Sequence, residues 1–266
     1  MRLPFRRVQH QIAVLTLVVG VLFVPRQSVA QGCLPIRFTT PSLGGHGESQ
    51  STDLRAHEWQ IAVDYRYLHA DRSFSGTQSQ PPSSLPPSFG QPLIIRIHSA
   101  NVNVTYAVSD RLNLRLTVPV SSGSQSRFYM DSARHVARAA GIGDVGLVAT
   151  TWLLDPRTHS SGNLAFGGGI KIPTGNNRYA ADYFLKDGSS VQFPVDQSIE
   201  LGDGGWGVIV QGQAFRRVAP RAFAYFTGSY LLSPRDQTDV TRAPLAVGEK
   251  NSTVHVSVPD VYTGRV

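Results

Sequence analysis

Residues Ala100–Val120 read A-N-V-N-V-T-Y-A-V-S-D-R-L-N-L-R-L-T-V-P-V. Two alternating runs are split by Ser109-Asp110-Arg111. In the first, Val102, Val104, Tyr106 and Val108 share one face, and Asn101, Asn103 and Thr105 share the other. In the second, Leu112, Leu114, Leu116, Val118 and Val120 oppose Asn113, Arg115 and Thr117. Successive side chains of a strand point to opposite sides, so each run has one apolar and one polar face. A short polar connection of this kind joins antiparallel strands. Each arm has about the ~9–11 residues that a tilted strand needs to cross a bilayer. The hairpin therefore reads as the unit of an all-β, antiparallel transmembrane β-barrel.

The flanking sequence repeats the unit. Upstream, Glu58–Leu68 sets Trp59, Ile61, Val63, Tyr65 and Tyr67 against Gln60, Asp64 and Arg66. Ile94–Ile97 extends the strand that opens the hairpin. Downstream, strands are expected at Val145–Leu154, Asn163–Pro173, Trp206–Phe215 and Ala222–Leu232. On these, Leu147, Leu153, Leu164, Phe166, Ile170, Ile172, Val208, Val210, Phe226 and Tyr230 face outward. Gly167, Gly169, Lys171, Gln211, Gln213, Thr227 and Ser229 face inward. Long polar connections (His69–Ser99, Ser121–Asp144, Thr174–Gly205, Ser233 onward) alternate with short ones. Outer-membrane barrels show this asymmetry, with short periplasmic turns and longer external loops.

Seven complete strands and part of an eighth, around Val254–Val258 and onward, can be read before Val266. Either the eighth closes a small barrel or the chain is the front part of a longer one; the bare edge favours the second, since lipid cannot satisfy unpaired backbone groups.

The amino terminus has the form of a secretory signal. A basic start (Met1–Arg7) precedes the apolar run Ile12–Val24 and the small-x-small sequence Ser28-Val29-Ala30. The expected organisation is a signal peptide at 1–30, an irregular leader at 31–57 and a barrel at 58–266. Ala30-Gln31-Gly32-Cys33 offers lipidation at Cys33 as a rival, but the lipoprotein leucine is absent and the Cys lies far from the apolar run. The single Cys excludes an intrachain disulfide or a cysteine metal cluster. The net charge is +7, and removing the four arginines of residues 1–30 takes it to +3. The remaining cations are scattered, which argues against nucleic acid as a partner. Charged residues are 16% of the chain, below the ~25% of an ordinary globular protein. The localisation expected is the cell outer membrane of Gram-negative type, with the lipid bilayer, the barrel-assembly machinery and an unidentified small-molecule solute as partners.

Motifs for catalysis fail on context. Gly141-Ile142-Gly143-Asp144-Val145-Gly146 fits a dinucleotide fingerprint, but an alternating, β-branched run follows it where a helix is needed. Gly167-Gly168-Gly169-Ile170-Lys171 lacks the order of a phosphate loop and suits a strand that packs lumen side chains closely. Asp182, Asp187, Asp196, Glu200 and Asp203 crowd one external connection without EF-hand spacing; they read as ordinary loop polarity before they read as a calcium site. No nucleophile elbow or zinc-binding helix motif occurs. No catalytic residue, metal ligand or cofactor is expected, and the protein does not read as an enzyme.

The polar parity nominates lumen-lining residues: Gln60, Asp64, Arg66, Asn101, Asn103, Asn113, Arg115, Lys171, Gln211 and Gln213. Three cations against one anion would favour anions weakly, unless the charges pair and fill the interior. Trp59, Tyr67, Trp206 and Tyr230 are the expected lipid-interface aromatics.

Gly141-x-Gly143-Asp144 before an alternating strand, and Gly169-x-Lys171-x-Pro173-Thr174-Gly175 closing the next, resemble the outer-membrane family labelled meta-pathway of phenol degradation. Gly202-Asp203-Gly204-Gly205-Trp206-Gly207 and Gly228-Ser229-Tyr230 are similar to the same pattern. The resemblance covers roughly Glu58 to Val266. It implies a transporter-like barrel of about twelve strands, so that this chain would lack the last part, and a link to aromatic compounds that no residue here shows independently. Three functions follow as expectations. The first is a passive outer-membrane channel for small, hydrophobic or aromatic molecules. The second is a structural or adhesive barrel acting through its loops. The third is a soluble secreted β-sandwich, whose strands also alternate.

Overall fold

The computed structural model describes residues 54–75, 77–80, 93–235, 237–241, 255–257 and 260–265. The signal peptide, nearly all of the leader, Cys33 and Val254 lie outside these residues.

The described chain is all-β and antiparallel, with no helix. Its strands are β1 (Trp59–Ala70), β2 (Ser73–Ser75), β3 (Gln78–Gln80), β4 (Ile94–Ala107) and β5 (Leu112–Phe128). Then follow β6 (Arg134–Ile142), β7 (Val145–Trp152), β8 (Gly162–Ile172), β9 (Ala180–Phe184) and β10 (Ser190–Pro194). The last are β11 (Gly207–Ala219), β12 (Ala222–Leu232), β13 (Gln237–Thr241), β14 (His255–Ser257) and β15 (Val261–Arg265). One strongly curled sheet runs β1-β4-β5-β7-β8-β11-β12-β15, with β6 also paired to β5. Three hairpins, β2–β3, β9–β10 and β13–β14, stand apart as two-stranded sheets. No second large sheet faces the first among the described residues.

The central hairpin pairs as its alternation requires: Val102 with Val118, Val104 with Leu116 and Tyr106 with Leu114. The connection Ser121–Asp144 is corrected by the structure. β5 continues through this polar stretch to Phe128, and the chain returns as β6. A 17-residue strand is ~56 Å long, well beyond the ~30 Å of a hydrocarbon core. The alternation stops at Val120 while the backbone ladder goes on, because hydrogen bonding needs no apolar side chains. The hinge is Pro119. Pairing with β7 ends at Thr117–Gly146, and pairing with β6 begins at Val120–Ile142. Two residues of β5 thus face three of the partner. That extra residue makes a bulge where a proline without N–H is tolerated, and Gly143 N–H donates to the Pro119 carbonyl at 2.8 Å.

Two more connections contain structure. Thr174–Gly205 carries β9 and β10 and a buried segment described below. His255–Ser257, expected to begin the eighth strand, pairs instead with β13; Val261–Arg265 joins the main sheet beside β12.

One face of the sheet exposes large apolar side chains and the other buries polar ones among apolar neighbours. On the outward face Trp59, Ile61, Val63, Tyr65, Leu116, Leu147, Phe166, Ile170, Val208, Val210 and Tyr262 are exposed, Ile61 to 72%. Strand register makes this a continuous band: Ile61–Val104–Leu116–Leu147–Ile170–Val208–Leu232 is one row across seven strands. On the opposite face Asn101, Asn103, Thr105, Asn113, Thr117, Gln125, Lys171, Gln211 and Ser229 are buried.

Candidate functional site

The inward face is a polar band built from successive rows. Gln60, Thr105, Arg115, Val148, Gly169 and Ile209 occupy one row; Ala62, Asn103, Thr117, Gly146, Lys171 and Gly207 occupy the next. All ten expected lumen residues lie on this face by register. Asn103 Nδ2 donates to Asp64 Oδ2 at 2.8 Å, and Thr117 Oγ1 donates to Asn103 Oδ1 at 2.8 Å. Arg115 Nε donates to Thr105 Oγ1 at 3.3 Å. Such cross-strand bonds hold buried polar groups that would otherwise lose hydration without replacement. Lower down, Gln211 Nε2 donates to Thr150 Oγ1 at 2.5 Å. Gly167 makes room for it, since a Cβ there would sit 2.6 Å from the Gln211 side chain. Asn101, Asn113 and Gln211 are buried, whereas Gln60, Asp64, Arg115 and Gln213 are half-buried and Arg66 is exposed.

Lys171 lies on the expected face but is not an open cation. Its side chain is 0% exposed, and Nζ donates to Asp144 Oδ2 at 3.3 Å and to Asp203 Oδ1. The charge balance drawn from three inward cations therefore loses one. Asp203, read from the sequence as loop polarity, is buried here, because a buried ammonium requires a counter-charge. Around the triad, Gly175 N–H donates to Asp144 Oδ1 at 3.0 Å, Asp203 N–H to Asp144 Oδ2 at 3.2 Å, and Gly205 N–H to Asp203 Oδ1 at 2.9 Å. Burial, then repulsion by Asp203, raises the Asp144 pKa above the ordinary carboxylate value; Lys171 and the two N–H donors oppose this. Three of the glycine-rich motifs of the resemblance thus converge, from the β6–β7 turn, the end of β8 and the approach to β11. The backbones of residues 175 and 202 come so close that a Cβ on Gly202 would lie 2.8 Å from Gly175 Cα, which only glycine permits.

Ahead of Asp203 the chain packs on the same face. Val195, Ile199 and Leu201 are buried in one cluster with Ile95, Ile97, Ala137 and Ala139, and Leu68 and Ala70 pack against it. Gln125 Nε2 donates to Ser198 Oγ at 3.3 Å. The sequence signal was present but inconspicuous: Ile199 and Leu201 alternate inside an acidic, glycine-rich connection. The remaining loop acids do not gather: Asp182 accepts from Gln192, Asp187 from Ser189, and Asp196 from Ser198 N–H.

The four aromatics expected at a lipid interface all sit on the outward face. Trp59 packs on Tyr106 at a centroid distance of 4.6 Å, and Tyr67 on His98 at 4.8 Å. Trp206 is exposed, and Tyr230 donates to Asp260 Oδ2 at 2.7 Å. Farther out, His135 stacks on Phe184 at 3.6 Å, with Tyr129 edge-on to both, joining the β5–β6 hairpin to the β9–β10 hairpin. No family model matches the chain, and no curated protein matches it.

Proposed function

We propose that the protein is an outer-membrane β-barrel that gives small solutes a passive route across the membrane. One observation carries the reading: the long strands of the main sheet expose a continuous row of apolar side chains on one face, while Asn101, Asn103, Thr105, Asn113, Thr117, Gln211 and Ser229 are buried on the other. Lipid rewards that polarity and water penalises it. The aromatics Trp59, Tyr67, Trp206 and Tyr230 suit the two membrane interfaces, where a ring sits between apolar and wet surroundings. The inward Asn, Gln, Thr and Arg side chains would keep a path hydrated. Through the resemblance of its glycine-rich motifs to the meta-pathway of phenol degradation family, the solutes proposed are small hydrophobic or aromatic compounds. Export by the amino-terminal signal and insertion by the barrel-assembly machinery belong to the same proposal.

The test is permeation. The mature chain, inserted into liposomes, is expected to resist carbonate extraction and to admit small solutes; recovery as a soluble protein would overturn the membrane reading. A second reading, adhesion, draws on the aromatic weld between the outer hairpins, which makes a firm projecting surface. Liposomes that stay impermeable, together with loss of surface binding when β9–β10 is removed, would replace the first reading by the second.

A further inference from the structure

The connection between β10 and β11 does something that a channel's external loop need not do: it folds against the face that would line the path. Ile199 and Ser198 are 0% exposed, and Glu200, Leu201 and Asp203 are nearly as buried. Three sets of contacts, made by different chemistry, hold it there. Ile199 and Leu201 share a cluster with Ile97 of β4 and Ala139 of β6. Ser198 accepts from Gln125 of β5. Asp203 pairs with Lys171 of β8 and, through its own N–H, with Asp144. Those partners are all on the inward parity, in rows bounded below by Asn103–Thr117–Lys171 and above by Ile95–Gln125–Ala137.

This placement also accounts for a reversal that membrane patterning cannot explain. Above Ser99 the inward face of β1, β4 and β6 becomes apolar, at Leu68, Ala70, Ile95, Ile97, Ala137 and Ala139, while β5 keeps Ser121 and Gln125. A water-filled path would not favour six apolar side chains on its wall; a segment packed over them does. Close approach has been built in as well, since a Cβ on Gly141 would meet the Leu201 side chain at 2.9 Å, and one on Gly143 the Leu201 carbonyl at 3.1 Å.

We infer that residues 195–205 are an in-folded constriction, tethered by Lys171, that sets the size limit of the solutes passed. The inference rests on the channel reading above and names the element that gives that channel its selectivity. Lys171 acts as a positioning residue: it touches no solute and acts by holding Asp203 down.

The experiment compares the full chain, a variant with 196–200 replaced by two glycines, and Lys171→Gln, each inserted into liposomes with folding checked by heat-modifiable migration. The probes are neutral saccharides of increasing length, with single-channel conductance in potassium chloride recorded alongside. The expected result is a cut-off shifted to longer saccharides and a conductance raised at least ~2-fold in both variants, since a wider neck passes more current. An unchanged cut-off and conductance in a folded variant would overturn the constriction while leaving the channel in place. No permeation by any of the three folded proteins would overturn the channel reading, and the constriction with it.

Should the shortened variant fail to insert, Ser198→Cys in a Cys33→Ser background decides. Position 198 is expected to resist a charged thiol reagent when Lys171 is present and to react, with a drop in current, when Lys171→Gln is added. Equal reactivity with and without Lys171 would overturn the tether.

Discussion

At the residue scale Lys171, Asp144 and Asp203 form one buried charged cluster. An ammonium with no exposure is tolerated because two carboxylates face it and four N–H or N⁺–H donors satisfy those carboxylates. Removing the cation alone leaves two buried anions opposed, a change that typically costs about 3–5 kcal/mol. Lys171→Met is therefore expected to lower the urea midpoint of the 195–205 segment, followed by a fluorophore placed on the segment. Adding Asp144→Asn and Asp203→Asn to Lys171→Met should recover much of the loss; no recovery would mean that the cost is packing rather than charge.

The pH dependence follows from Asp144, whose folded-state pKa is raised by burial and by Asp203. A raised carboxylate pKa means that the folded state favours the protonated form. Its stabilising effect is fully present below the ordinary value of about 4 and is lost as pH rises through the raised value. Between those two values the protein takes up a proton on folding. Asp144→Asn should flatten the slope of the urea midpoint against pH in that window, and an unchanged slope would assign the titration elsewhere.

At the element scale the strands obey one alternation over the membrane-length portion and another beyond it. Val210 faces outward, 58% exposed, beside Tyr230 and Gly168, while Gln213, three residues on, faces inward and is half-buried. Val210→Arg places a cation on the lipid side, at a cost of about 2–4 kcal/mol near the midplane. It should reduce the heat-modifiable folded fraction sharply, whereas Gln213→Arg should change it little. Equal folding of the two would reverse the assigned faces. Position 113 is less suited to this contrast, because Asn113 is tightly buried beside the guanidinium-bearing strand position 115.

At the scale of the whole molecule, the ionic selectivity of the proposed channel would depend on the charges its path presents. Lys171 is held by two carboxylates, so of the three cations expected inward, Arg66 and Arg115 are the two whose replacement tests selectivity. Replacing both by Gln is expected to move the reversal potential in a salt gradient towards cation preference, because lumen cations raise the barrier to positive ions. Adding Lys171→Gln should widen the path rather than shift the preference further. A large extra shift would show that the Lys171 charge reaches the solution.

The membrane-length strands were legible before any fold was known. Their period of two, with Trp59 through Tyr67 or Leu112 through Val120 on one side, needs nothing but local backbone geometry. The short turn at Ser109-Asp110-Arg111 and the inward parity of Asn103, Thr117, Lys171 and Gln211 followed from the same period. Past Val120 the signal failed: Ser121–Ser126 has no apolar alternation, yet β4 and β6 supply its hydrogen-bond partners from distant sequence. Pairing of that kind leaves no local mark. The tertiary structure alone decided that Asp144 and Asp203 meet Lys171, since the three lie in the β6–β7 turn, the β10–β11 connection and strand β8. It alone decided, too, that Ile199 and Leu201 lie against Ile97 and Ala139. A buried ammonium selects its carboxylates, and an apolar patch its cover, by proximity in space, which one-dimensional spacing does not encode.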